Sequence, residues 1–317
     1  GSWLKPGICP MRAPDSNPFP PTPRGGKDRR VTSRDATWRH HTPDGTVFGD
    51  RARQRSRLRN ASIELREHVH ALEAFTIGRF RAAYRAQALG LLWPMANPII
   101  LMIVMSVFFG LIFPGDLRAY PVFLMLGLVP WHFLSHAWTD GTTCFLHHAQ
   151  VIKHTSVPAW IVALGTVLSH VINLGFAALS ILPLIAFYPE AFQVSAALLA
   201  LPLIVLLLVA LGLGLALTSG VLNVVYRDVG YIVNSALVVL FWATPIAYPL
   251  EKLQGLPRQL MLLNPMASLI QCIRDIVLNG QMPPASVLGA AVCGCVGVLV
   301  LGTLVYGRFA HVVADHV

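Results

Sequence analysis

Hydropathy divides the chain into a polar head and an apolar body, joined in the stretch Arg79 to Pro98, RFRAAYRAQALGLLWPMANP. Residues 11–60 are rich in Pro, Arg, Asp, Ser and Gly, with PFPPTPRGG at 18–26 and RARQRSRLR at 51–59. Too few apolar side chains are present there to build a core, so residues 1–60 are expected to form a basic, disordered cytoplasmic extension, its first ten residues being a leader outside the fold. From Ile63 to Leu89 the apolar residues Leu65, Val69, Leu72, Phe75, Phe80 and Tyr84 recur every three to five positions, and Arg66, Glu67, Glu73, Arg81 and Arg85 fill the gaps. This period predicts an amphipathic helix in 61–93 that lies at the membrane surface, although a helix packed on a cytosolic partner would show the same period.

Six apolar runs follow, near 95–113, 121–146, 158–187, 195–222, 229–249 and 285–306, each of the ~17–25 residues or more needed to cross a bilayer. They predict an all-α integral membrane protein with six transmembrane helices in 94–310 and a short tail at 311–317. The connection 250–284 carries Leu260, Leu263, Met266, Leu269, Ile270, Ile273, Ile276 and Val277 at helical spacing, yet is interrupted by Pro257 and Pro265. It is too short and too polar to span, and is expected to form re-entrant helices before the last span. Within it, Arg274 and Asp275 are adjacent, about 100° apart on a helix, which favours separate partners over a mutual salt bridge.

Composition agrees with this division. The chain has 317 residues, 55% of them hydrophobic and 12% charged, with a mean hydropathy of +0.59, whereas soluble domains carry roughly 25% charged residues. The net charge of +9 sits in the head: residues 1–93 hold 17 of the 24 Lys and Arg and 8 of the 15 Asp and Glu, leaving 7 of each sign beyond. Lys153, Arg227, Arg308 and the 17 basic residues of the head fall on one side of the expected topology, 20 in all, against four on the other (Arg118, Lys252, Arg258 and Arg274). Both termini are therefore expected to be cytoplasmic, beside anionic lipid. No basic stripe continues into a nucleic-acid-binding module, so no nucleic-acid partner is expected. The five cysteines, Cys9, Cys144, Cys272, Cys293 and Cys295, are odd in number and scattered, which excludes a disulfide framework.

The chain contains no GxxxxGK[ST] loop, GxSxG elbow or HExxH pair, so ATP energy would have to come from a partner and the polar residues at membrane depth become the functional candidates. Asp140, in HAWTDGTTCF, is the one acidic residue of the second run, placed either on an aqueous path or near the cytoplasmic interface. Asp228 follows Arg227 at a cytoplasmic turn. His147, His148 and His154 cluster in FLHHAQVIKHTSVP without a carboxylate and are expected to mark a short surface helix ended by Pro158 rather than a metal site. Tyr231, Asn234, Phe241, Trp242 and Tyr248 stand largely on one face of the fifth run, where aromatic rings could stack on sugars or simply pack; Phe109 is a weaker candidate of the same kind.

The motifs YRAQALGLLWPMANP (84–98), GLVPWHF (127–133), VIKHTSVP (151–158), LNVVYRDVGYIV (222–233) and LNPMASLIQCIRDIVLNG (263–280) resemble, in this order, the membrane permease subunits of bacterial ABC exporters that move O-antigens, capsules, teichoic acids or related lipid-linked polymers. The resemblance covers about residues 70–310. It implies a multi-pass subunit of the bacterial plasma (inner) membrane that forms a homodimer, binds two ABC ATPase subunits and passes lipid-linked polysaccharide outward. ATP and Mg would sit on the ATPase, with no cofactor on this chain. By position, Tyr84, Arg85, Arg81 and Trp93 would belong to the gate that receives the substrate headgroup, while the first and fifth spans would line the channel. His148, Gln150, Lys153 and His154 would contact the ATPase through a coupling helix, and Tyr226, Arg227 and Asp228 through a second contact. The sequence departs from the family at Arg79, where many relatives have Asp, and at Gln87, where a small hydroxyl residue is common. A secondary transporter would carry more paired ionisable groups in its spans, and a membrane enzyme acting on lipid-linked sugars would have to use His147, His148, His154 and Asp140.

Overall fold

Pro, Gly and polar residues punctuate the apolar runs, and the chain folds into helices between them. A computed structural model describes residues 66–85, 90–112, 119–154, 157–250 and 255–316. The basic extension at 1–60, together with Gln87, Arg118 and Lys252, lies outside the described residues. Among the described residues every long regular element is a helix: α1 (66–84), α2 (Trp93–Ile112), α3 (Tyr120–His147), α4 (Ala149–His154), α5 (Ala159–Leu179), α6 (Ile181–Phe187), α7 (Leu201–Val225), α8 (Val229–Ala243), α9 (Leu256–Leu263), α10 (Pro265–Val277) and α11 (Ala285–His316).

Four stretches among these residues are long and apolar enough to cross a membrane: Gly90–Phe109, Ala159–Phe187, Ala196–Val225 and Ala285–His311. Helix α3 has the length but also carries His132, His136, Asp140, Thr142 and Thr143. It compensates by burial, because most of its residues from Tyr120 to Phe145 pack inside the protein. Helix α8 has only 15 residues, about 22 Å at 1.5 Å per residue, whereas the pattern placed a span as far as 249. The cause is Pro245, which holds Thr244 in an extended conformation (φ −101°, ψ 136°) and ends the helix. Helices α9 and α10 meet at a 99° bend. There Asn264 caps α10 by accepting from the Met266 N–H at 3.0 Å and donates to Thr244 Oγ1 at 2.9 Å.

Helix α7 stands at the centre and packs on α11, α3 and α5. In hydrocarbon the hydrophobic effect does not press helices together, so contact depends on how closely backbones approach. A Cβ on Gly302 of α11 would lie 2.3 Å from the Gly214 carbonyl oxygen, and one on Gly214 would lie 2.5 Å from the Val298 oxygen. Nearby, the Thr142 and Ser219 hydroxyls pair at 2.7 Å between α3 and α7. The outward face of α2, with Ile100, Ile103, Val104, Val107 and Phe108, is apolar and exposed, as is that of α11 at Val296, Val300, Leu301 and Leu304.

The two ends of the bundle differ. At one, Cys144, Phe145, Val162, Ala163, Val221, Val224 and Val313 form a cluster, with Phe75, Ala149 and Ile152 packed against it. This brings α1, α4, the start of α5 and the final turns of α3, α7 and α11 to the same end. At the other, Arg274 of α10 is 2% exposed and donates to the carbonyls of Pro245 and Ile246 at 2.7 Å each and of Phe123 at 3.3 Å. Its guanidinium also lies 3.4 Å over the Phe123 ring. The bonds to Pro245 and Ile246 satisfy backbone groups that the early stop of α8 leaves without helical partners. Asp275 accepts from Gln271 at 3.1 Å and from Asn279 at 3.2 Å. Gly127 of α3 permits this arrangement, since a Cβ there would stand 3.1 Å from the Arg274 head and 3.2 Å from Ile246.

Two stability measurements test these contacts. Arg274→Leu strips buried carbonyls of their donor and is expected to cost about 3 kcal/mol, read as a lower unfolding midpoint in detergent; an unchanged midpoint would show that the carbonyls need no partner. Gly302→Val forces α11 away from α7 and is expected to cost about 2 kcal/mol through overpacking, whereas Gly297→Val, with open space around it, is expected to leave the midpoint in place.

Candidate functional site at the amphipathic helix

One face of α1 lies on the chain's own helices. His68 meets Trp160 edge-on at 6.1 Å, Phe75 meets His148 at 4.9 Å, and Phe80 stacks on Phe176 at 6.2 Å. Phe75 fits where α5 has Gly165, whose Cβ would lie 2.6 Å from the Phe75 ring. Burial lowers the pKa of His148, which favours the neutral ring. A neutral imidazole can still donate from Nδ1 to the Cys144 carbonyl, 3.0 Å away.

Arg79 occupies the same inward face, one turn beyond Phe75, and its guanidinium pairs with the Asp140 carboxylate on α3. A charge on the inward face of an amphipathic helix requires such a partner, because an isolated buried ion is costly. The ion pair begins a directed hydrogen-bond chain. His170 Nε2 lies 3.0 Å from the same Asp140 oxygen, Asn173 Nδ2 lies 3.4 Å from His170 Nδ1, and the Tyr84 hydroxyl donates to Asn173 Oδ1 at 2.8 Å. With the amide oxygen of Asn173 accepting from Tyr84, its NH₂ group faces His170, so Nδ1 accepts and Nε2 carries the proton toward Asp140. Burial pushes the Tyr84 phenol pKa up, with the Asn173 bond opposing it, which keeps the hydroxyl neutral as a donor. Both ends of α1's second half are thereby attached to α3 and α5.

Beside this chain lies a cavity of about 400 Å³ between the end of α1, the start of α2 and the flanks of α3 and α5. Tyr84 and Trp93, assigned together from sequence, both line it. So do His132, His136 and His170, whose rings follow one another at 6.0 Å with interplanar angles of 20° and 16°. A second hollow of about 290 Å³ includes Arg79, Asp140 and His148 and shares Tyr84, His170 and Asn173 with the first.

The remaining candidates are placed as follows. Arg81 is exposed in a shallow hollow with His70 and Glu73, apart from Tyr84, and Arg85 is exposed in the turn after α1. Gln150, Lys153 and His154 are exposed on α4, while His148 is half-buried beneath α1. Tyr226, Arg227 and Asp228 are exposed at the α7–α8 turn, which Asn223 closes by accepting from the Gly230 N–H at 3.2 Å. Tyr231, Asn234 and Trp242 are exposed on α8, but Phe241 turns inward and meets Trp131 edge-on at 5.6 Å. Tyr248 lies beyond the end of α8, 3.6 Å from the Met261 sulfur, and Phe109 packs 6.0 Å from Tyr120. Arg274 and Asp275 are buried at the opposite end. Among the described residues no three His, Cys, Asp or Glu side chains converge to hold a metal ion. Sequence reasoning did not single out His132, His136, His170 or Asn173; a charged residue recurring on α1's apolar face was the available signal for the Arg79 pair.

Comparison with known proteins places this arrangement. Two curated relatives are O-antigen export system permease proteins RfbA. The one from Klebsiella pneumoniae is 28% identical over 205 residues, covering 64% of this chain and 78% of the relative. The one from Myxococcus xanthus is 29% identical over 231 residues, covering 72% and 87%. Residues 70–278 match the family model of the ABC-2 type transporter, a span that begins within α1 and ends just past α10. It takes in the ion pair, the cavity and both exposed turns, and the chain belongs to the ABC-2 type transporter family.

Proposed function

We propose that this chain is the membrane subunit of an ATP-driven exporter that moves lipid-linked polysaccharide from the cytoplasmic to the outer side of the plasma membrane. The observation that carries this reading is the gathering of α1, α4 and the α7–α8 turn at one end of the bundle. An amphipathic, basic helix can collect an anionic lipid-linked headgroup there, because arginine pairs with phosphate in two-pronged fashion and is weakly hydrated. Arg81 and Arg85, exposed on and just after α1, supply that charge. On this reading that end, with both termini, is cytoplasmic, six helices (α2, α3, α5 with α6, α7, α8 and α11) cross the membrane, and α9 and α10 re-enter from outside.

Energy comes from a separate ATPase, bound as two copies to a homodimer of this chain. Gln150, Lys153 and His154 of α4 and Tyr226, Arg227 and Asp228 offer exposed polar contacts for it. Movement of α4 reaches α1 through the His148–Phe75 contact. The names of the two relatives support polysaccharide as cargo.

Purified chain is expected to co-isolate with an ATPase subunit and to hydrolyse no ATP alone; robust hydrolysis by the isolated chain would sink the proposal. The Arg79–Asp140 attachment has its own test. Arg79→Asp and Asp140→Arg each are expected to free α1 and reduce export, and the double reversal to recover it, with a coupling energy of about 1 kcal/mol in a double-mutant cycle. Additive losses would mean that the pair does not hold the helix.

A further inference from the structure

We infer that the cavity at the α1–α2 junction is a sugar-binding subsite, taking an uncharged pyranose ring of the cargo against Trp93, with hydrogen bonds from Asn97 and His136. This rests on the glycan-export reading and names what one part of the chain recognises.

The argument starts from size and lining. About 400 Å³ falls in the roughly 300–1,000 Å³ range of small-molecule sites. Trp93 is 41% exposed although it stands in the cavity wall, offering an aromatic face of the kind on which the C–H side of a sugar ring packs. Asn97 and His136 are exposed in the same wall. A carboxamide and a neutral imidazole each donate and accept, and a sugar hydroxyl does the same, so the hydrogen-bonding types match.

Charge distinguishes a sugar from a phosphate. Among the described lining residues there is no Asp, Glu, Lys or Arg, and the nearby charges, Arg79 and Asp140, are paired with each other. A phosphate here would lose water without a fixed cation to replace it. His170 and Asn173 are already fixed by the chain from Tyr84 to Asp140, so that part of the wall is ordered before a ligand arrives. With one exposed aromatic ring and two exposed polar side chains as its chief contacts, the site binds a single sugar weakly, as a step on a transport path must.

The test uses the full chain with its ATPase in lipid nanodiscs. Saturation-transfer NMR is recorded with the methyl glycosides of glucose, galactose, mannose, rhamnose and N-acetylglucosamine, and with inorganic pyrophosphate as competitor. Saturable transfer to at least one glycoside is expected, with a Kd on the order of 1 mM, weakened at least tenfold by Trp93→Ala and by Asn97→Ala and unaffected by pyrophosphate. Unchanged ATPase association verifies that each variant is folded; if Trp93→Ala fails that check, the exposed Asn97→Ala alone decides. No transfer to any glycoside, displacement by pyrophosphate, or transfer that survives both substitutions overturns the inference. Export measured in cells lacking the chain separates the two levels: normal export defeats the exporter reading, whereas lost export with no glycoside binding defeats the subsite alone.

Discussion

The structure depends on how closely helix backbones can approach around α7. Hydrocarbon offers no water to satisfy a backbone group and little hydrophobic drive for helices to associate, so helices hold together through close packing and a few buried hydrogen bonds. Gly214 meets Gly302 of α11, Gly141 of α3 faces Ala216, and the Thr142–Ser219 hydroxyl pair lies along the α3 contact. These small residues make α7 a post around which larger side chains such as Phe145 and Leu211 fill the remaining space.

From this post the two ends of the bundle take different characters. The Arg274 end is joined by buried bonds between α10, α3 and the irregular segment after α8, reinforced by the Tyr120 hydroxyl on the Ala247 carbonyl at 2.8 Å. A guanidinium keeps its charge at any physiological pH and its fork of donors suits several carbonyls at once. The Arg79 end is held by an ion pair whose Asp140 side chain is 41% exposed, where water weakens the attraction. Polar groups therefore serve as fixed joints at one end and as a looser attachment at the other.

Much of the architecture was legible because lipid exposure and helical period leave plain marks on sequence. Each of the six apolar runs holds a helix, although that of 229–249 stops at Ala243, the short surface helix formed before Pro158, and the interrupted stretch before the last run became two helices that meet at a bend. What could not be read was adjacency. Arg79 and Asp140 are 61 positions apart and Tyr84 and Asn173 are 89 apart, and no periodicity reveals which helices will be neighbours. The early stop of α8 was missed for another reason: the run remains apolar through Pro245, and hydropathy does not register a lost N–H. The inward turn of Phe241 follows from α8 packing on α3, which a tally of aromatic positions along one helix cannot anticipate.

Helix α3 has one further consequence. His132, His136 and Asp140 stand four residues apart in succession, so they form a single stripe along the helix, with steps of about 6 Å. The first two belong to the cavity wall and the third receives Arg79. Helix α4 begins two residues after α3 ends, so the exposed short helix follows directly on the one that bears this stripe. One helix therefore carries both a wall of the cavity and the carboxylate that grips α1.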